Sequence, residues 1–98
     1  MNFGVVITTE EFGEYATGLL SAAMDRGWTC RCFLTDTGVG LLRQAPFRKL
    51  VESGRVEASV CEFSWKRFGS AEPPACVVMG GQYQNAELVH KCDKVIVL

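Results

Sequence analysis

The chain has 98 residues, 48% of them apolar and 21% charged, with ten Lys plus Arg against eleven Asp plus Glu and a formal net charge of −1. That balance suits one packed domain spanning residues 1–98 and argues against nucleic acid as a partner, because neither an arginine-rich arm nor a basic stripe is present. No run approaches the roughly 20 apolar residues of a membrane-spanning helix, and the opening MNFGVVITTEEFGE has neither the basic start nor the cleavage site of a secretory leader, so a cytoplasmic protein with no membrane partner is expected.

FGVVI (Phe3 to Ile7) is a short apolar run rich in β-branched residues and reads as a strand buried on both faces. Thr8 and Glu11 then offer the T-x-x-E pattern of a helix start. Phe12, Tyr15, Ala16, Leu19, Leu20 and Ala23 follow at the spacing that lines one helix face, ending near Gly27. WTCRCFL (Trp28 to Leu34) supplies a second strand and TDTGVG (Thr35 to Gly40) a loop. A helix is expected to start near Pro46 and to carry Phe47, Leu50 and Val51 before stopping at Gly54. VEASVC (Val56 to Cys61) is the third strand, followed by a short helix from Glu62 to about Phe68. After the GSAEPP loop, ACVVM (Ala75 to Met79) forms a further strand, GGQYQNAELVHKC turns into the last helix, and KVIVL (Lys94 to Leu98) is the final strand.

Strands and helices that alternate this regularly imply right-handed crossovers and an α/β fold, with a mostly parallel sheet of four to five strands and helices on both faces. In such sheets a site lies outside the carboxyl ends of the strands. That edge collects Thr8, Thr9, Thr35 to Gly38, Cys61, Gly80 and Gly81. A core this small leaves much surface, so association with other subunits is expected to add stability.

The five cysteines are Cys30, Cys32, Cys61, Cys76 and Cys92. Their odd number and the expected reducing compartment argue against a disulfide framework, and the absence of a CxxC pair beside a lone His90 argues against structural zinc. Cys61 stands apart because it closes a strand at the functional edge just where a helix begins, and free N–H groups there favour a negative sulfur. Lys66 and Arg67 add positive potential one to two turns on, against Glu62 next door. The competing reading is an ordinary core cysteine, a frequent use of the residue.

Cys30 and Cys32 share one side of their strand, too far apart for an easy bridge, and read as core. Cys76 is a candidate resolving thiol for Cys61, and Cys92 reads as packing at a helix end. His90 falls about a dozen ångströms from the functional edge by helical rise, which makes it a poor general base. The GGQ stretch is weak as a phosphate cradle without further glycines or a lysine. Thr8, Thr9, Thr35 and Asp36 read as caps and turn residues, with Asp36 a lesser candidate for lining the cysteine pocket. Trp65, on the helix after Cys61, is placed to cover the thiol or anchor a subunit contact.

Three stretches carry a likeness that extends over nearly the whole chain: VVITTEEFGEYATGLLSAAMDRGWTCRCFLTDTGVGLL, VEASVCEFSWKRFG and GGQYQNAELVHKCDKVIVL. Together they resemble the DsrE/DsrF-like (TusD-type) sulfur-relay family. The cysteine after the third strand, with its short helix and basic pair, is the most informative element. The resemblance implies a five-stranded three-layer α/β/α sandwich, trimers or hexamers, other sulfur-carrier proteins as partners, and no metal or organic cofactor. Carried over residue by residue, it gives only Cys61, as the acceptor of persulfide sulfur. The sequence departs from the family pattern in having no tail with a second reactive cysteine after the last strand. Two alternatives stand beside sulfur relay: a noncatalytic oligomeric interaction module of the same fold, and a redox sensor that forms a Cys61–Cys76 disulfide.

Overall fold

Every apolar run read as a strand joins one sheet in the computed structural model, which describes residues 1–69 and 72–98. The strands are β1 (Asn2–Ile7), β2 (Thr29–Leu34), β3 (Val56–Cys61), β4 (Val77–Gly80) and β5 (Lys94–Val97), and the α-helices are α1 (Gly13–Asp25), α2 (Ala45–Glu52), α3 (Glu62–Phe68) and α4 (Gln82–Lys91). All neighbours are parallel, in the order β4-β3-β2-β1-β5. The chain therefore steps outward from β1 to β4 and then crosses back to lay β5 on the free side of β1.

Side chains alternate across a strand, so adjacent residues report the two faces. On one face Phe3, Val5 and Ile7 of β1, Cys30, Cys32 and Leu34 of β2, and Ala58 and Val60 of β3 pack with Ala16, Leu20 and Ala23 of α1 and Phe47 and Val51 of α2. On the other, Val6 and Phe33 pack under Leu88 of α4, with Cys61, Cys92 and Val95 partly buried against them. The three layers are thus unequal: α1 and α2, joined by Trp65 and Phe68 of α3, cover one side, and α4 covers the other. Gly4 makes room for that single helix, since a Cβ there would press on Leu88 and the Cys92 sulfur.

The helix ends follow local chemistry, with corrections to three expected elements. The cap is Thr9 rather than Thr8: its hydroxyl accepts from the Glu11 amide at 3.3 Å, opening a 3-10 turn over Glu10–Phe12 ahead of α1. Thr8 instead ties the sheet, its amide and hydroxyl both donating to the Leu98 carbonyl at 2.7 Å. The segment expected as a loop at Thr35–Gly40 is largely a 3-10 helix, Asp36–Arg43, because Val39, Leu41 and Leu42 are drawn into the core. Gly38 permits this, as a Cβ there would fall against the Ile7 carbonyl oxygen. The fourth strand starts at Val77 rather than Ala75, its first paired residue being the one opposite Ala58. Gly27 and Gly54 follow α1 and α2 with φ of 78° and 77°, the left-handed region that glycine enters without strain. Ser70 and Ala71 of the expected GSAEPP loop lie outside the described residues. Among those described, no helix is long and apolar enough to cross a membrane.

Candidate functional site

Cys61 is the last residue of β3 and the residue before α3, with extended backbone at φ −66° and ψ 115°. Its strand position turns the side chain to the α4 face, where it is half-buried against Val6, Phe33 and Leu88. Burial on its own pushes a thiol up, by disfavouring the charged form. Here it is outweighed by hydrogen bonds from the Ser64 hydroxyl and amide, the Thr35 hydroxyl and the Phe63 amide, which together hold Cys61 below the ordinary value of 9.0. The amides come from the first turn of α3, whose N–H groups have no partner within the helix.

The hydroxyls are placed by tertiary structure. Ser64 is 6% exposed and sits beneath the start of the Asp36–Arg43 turn. Its oxygen accepts from the Asp36 amide at 2.8 Å and lies 3.3 Å from the Thr35 hydroxyl. Asp36 makes that contact with φ of 53°, left-handed backbone that a non-glycine residue adopts where its surroundings dictate it. Asp36 thus serves the site through its amide, not by lining it.

An open cleft reaches the sulfur. Thr35, Cys61, Phe63, Ser64 and Lys66 line one side, and Gly80 to Gln82 the other. The carboxyl ends of β2, β3 and β4 therefore converge as the alternating pattern implied, whereas Thr8 and Thr9 do not join them. Phe63, 70% exposed, is the aromatic residue that lines this cleft, not Trp65, which the sequence reading placed to cover the thiol or anchor a subunit contact. Trp65 instead packs on the main core with Gly69 against its ring. The basic pair is divided: Lys66 borders the cleft, and the Arg67 guanidinium lies 4.9 Å over the Phe68 ring.

The Gly80–Gly81 turn is closed to phosphate. The Gly81 amide already donates to Gln84 Oε1 at 2.8 Å, and the Gln84 side chain fills the space beside Gly80. His90 is exposed near the end of α4 and borders a separate surface groove with Tyr83 and Lys91.

The other thiols separate clearly from Cys61. Cys30 and Cys32 are buried in the main core, where burial raises both and pushes Cys32 up to about 12. Cys92 is half-buried at the end of α4 and is also raised by burial. Cys76 is exposed just before β4. Since Gly80 is the residue paired with Cys61, Cys76 lies four residues back along a parallel strand, roughly 13 Å at the usual rise. A disulfide needs α-carbons within about 7 Å, so the Cys61–Cys76 bridge of the redox-sensor alternative does not fit this sheet.

No family model matches the chain, and no curated protein matches it. Among solved structures it is similar to the YchN protein from E. coli, with a TM-score of 0.75 over 100% of both chains at 16% sequence identity. At that identity the likeness is one of fold. It supports a DsrE-like α/β fold with five parallel strands between helical layers.

Proposed function

We propose that this chain is a cytoplasmic sulfur carrier in which Cys61 takes the outer sulfur of a donor persulfide and passes it to a partner's cysteine. In loading, the Cys61 thiolate attacks the terminal sulfur of R–S–SH. A new S–S bond forms at Cys61, the donor S–S bond breaks, and its electron pair leaves on the donor as R–S⁻. In release, an acceptor thiolate attacks the terminal sulfur of Cys61–S–SH and Cys61 departs as thiolate. The proton stays on the travelling sulfur, and no external oxidant or reductant enters.

The observation that carries this reading is a half-buried cysteine that lines an open cleft at the carboxyl end of β3, directly before α3 and beside the Thr35 and Ser64 hydroxyls. A thiolate is the form that attacks and accepts sulfur, so donors that favour it raise its availability near neutral pH. The DsrE-like fold adds support as an analogy, as folds host many activities. The matching partners are other sulfur-carrier proteins, with this chain in a homo- or hetero-oligomer such as a trimer or hexamer.

Incubation with a small-molecule persulfide, followed by peptide mass spectrometry under non-reducing conditions, tests the proposal. The Cys61 peptide is expected to gain the mass of one sulfur atom, which is lost again on addition of a thiol. Failure of a folded wild-type protein to gain it removes the proposal. The exposed Phe63, Tyr83 and Val97 favour a second reading, a noncatalytic interaction module. That reading predicts alkylation of Cys61 no faster than free cysteine at the same pH.

A further inference from the structure

We propose that Ser64 and Thr35 form a hydroxyl pair that makes Cys61 a good leaving group, so that the site is tuned to hand sulfur on more than to take it up. This rests on the sulfur-carrier reading. The geometry places Thr35, Ser64 and Cys61 together on one cleft and narrows where the Ser64 proton can go. Asp36 N–H donates into the Ser64 oxygen at 2.8 Å, and a hydroxyl has one proton of its own to give. With the amide side occupied, that proton turns toward the Thr35 oxygen 3.3 Å away or toward the Cys61 sulfur. Thr35, Ser64 and Cys61 line the same cleft with the two hydroxyl oxygens 3.3 Å apart, so a negative Cys61 draws the hydroxyl protons toward itself, in line with its lowered proton affinity.

These bonds act differently on the two half-reactions. During loading the thiolate is the nucleophile. Hydrogen bonds enlarge its population but weaken each thiolate, because nucleophilicity falls as proton affinity falls. During release the bond between Cys61 Sγ and the travelling sulfur breaks, and its electron pair comes to rest on Cys61 Sγ, among the donors. A leaving thiolate of lower proton affinity departs faster, with nothing in opposition. Charge does not provide the asymmetry. The charged side chains bordering the cleft are Glu62 and Lys66, one of each sign and both exposed, while Asp36 beyond Ser64 is exposed and the first turn of α4 carries no acidic residue.

The test separates the half-reactions. Loading by a small-molecule persulfide and release to an excess of a small thiol are timed in single turnovers near neutral pH, the loading rate being divided by the Cys61 thiolate fraction read from alkylation, for wild type, Ser64→Ala, Thr35→Val and Thr35→Ser. The ratio of release rate to loading rate is expected to drop about tenfold in Ser64→Ala, the effect of one charge-assisted hydrogen bond. It falls in the same direction in Thr35→Val, and the hydroxyl of Thr35→Ser restores most of that loss. The pH midpoint of Cys61 alkylation by iodoacetamide rises in Ser64→Ala and Thr35→Val. A merely structural role slows both steps and leaves the ratio unchanged, which overturns the inference, and an unmoved midpoint overturns it equally. If Ser64→Ala does not fold, the Thr35 pair decides. A wild-type Cys61 that takes no sulfur overturns the carrier reading itself, an outcome the wild-type loading arm reports separately.

Discussion

The two faces of the sheet treat the same residue type in opposite ways. Under α1 and α2 the strands present Val5, Ile7, Cys32, Leu34 and Val60, all at or near zero exposure, and a thiol there is surrounded by carbon. Under α4 only Val6, Phe33 and Leu88 are sealed, while Ser59 and Cys61 are half-buried and Val78 and Val97 are 52% and 66% exposed. Cys32 is driven up to about 12 and Cys61 is held below 9.0. Burial opposes ionisation at both positions, and what differs is the supply of hydrogen-bond donors at the end of β3. A thiol in this fold is held low where packing stops short and hydrogen-bond donors do not.

The comparison can be broken most directly by removing bulk from each face. Phe47→Ala, on the buried side of α2, is expected to cost about 3–5 kcal/mol, and Val78→Ala, on the exposed part of the other face, less than about 0.5 kcal/mol, both read from urea midpoints. Equal costs would mean that the α4 face is packed like its opposite.

Alkaline unfolding sharpens the contrast between the thiols. Cys32 has a folded value of about 12 against an ordinary 9.0, so the fold favours its neutral form. Its contribution is fully present below pH 9.0 and lost as pH rises toward 12, at up to about 1.4 kcal/mol per pH unit. Urea midpoints taken at rising pH should decline over that window, and less steeply in Cys32→Ala. Cys61 carries the opposite sign. Its lowered value contributes above the ordinary 9.0 and is lost as pH falls through the folded value.

A smaller perturbation couples the faces. Gly38→Ala drives a methyl group against the Ile7 carbonyl oxygen, and overpacking of this kind costs about 1–3 kcal/mol. The displaced Asp36–Arg43 turn carries the amide and adjoins the hydroxyl that serve Ser64 and Cys61, so iodoacetamide alkylation of Cys61 near neutral pH is expected to slow. An unchanged rate would show that the turn and the thiol are independent.

Much of this was legible where the information is local. The third strand and the short helix after it fall at Val56–Cys61 and Glu62–Phe68 as read, because a β-branched run and a helical run meet at one residue. Cys61 was singled out by that junction, and the packing of Cys30, Cys32 and Cys92 was read from alternation and helical spacing. The hydroxyl pair was not legible, since Thr35 and Ser64 are 29 residues apart and meet only because β2 and β3 are neighbours. Trp65 was placed over the thiol or at a subunit contact on size and amphipathic character alone. One position along a helix turns a side chain by about 100°, which sends Trp65 to the core and leaves Ser64 and Phe63 facing the thiol. The Asp36–Arg43 turn was hidden by its glycines, which read as loop signals but serve close backbone packing.

Strand order also governs when the molecule can close. β5 is synthesised after the other four strands yet lies beside β1, the earliest, with the Leu98 amide donating to the Val6 carbonyl at 2.8 Å. Until residues 94–98 leave the ribosome, β1 presents a bare edge ready to pair with a neighbouring nascent chain, and Cys61 at the end of β3 stands in an unfinished sheet. Messages broken ahead of codon 94 should therefore yield aggregation-prone fragments, and a cell gains from clearing them early.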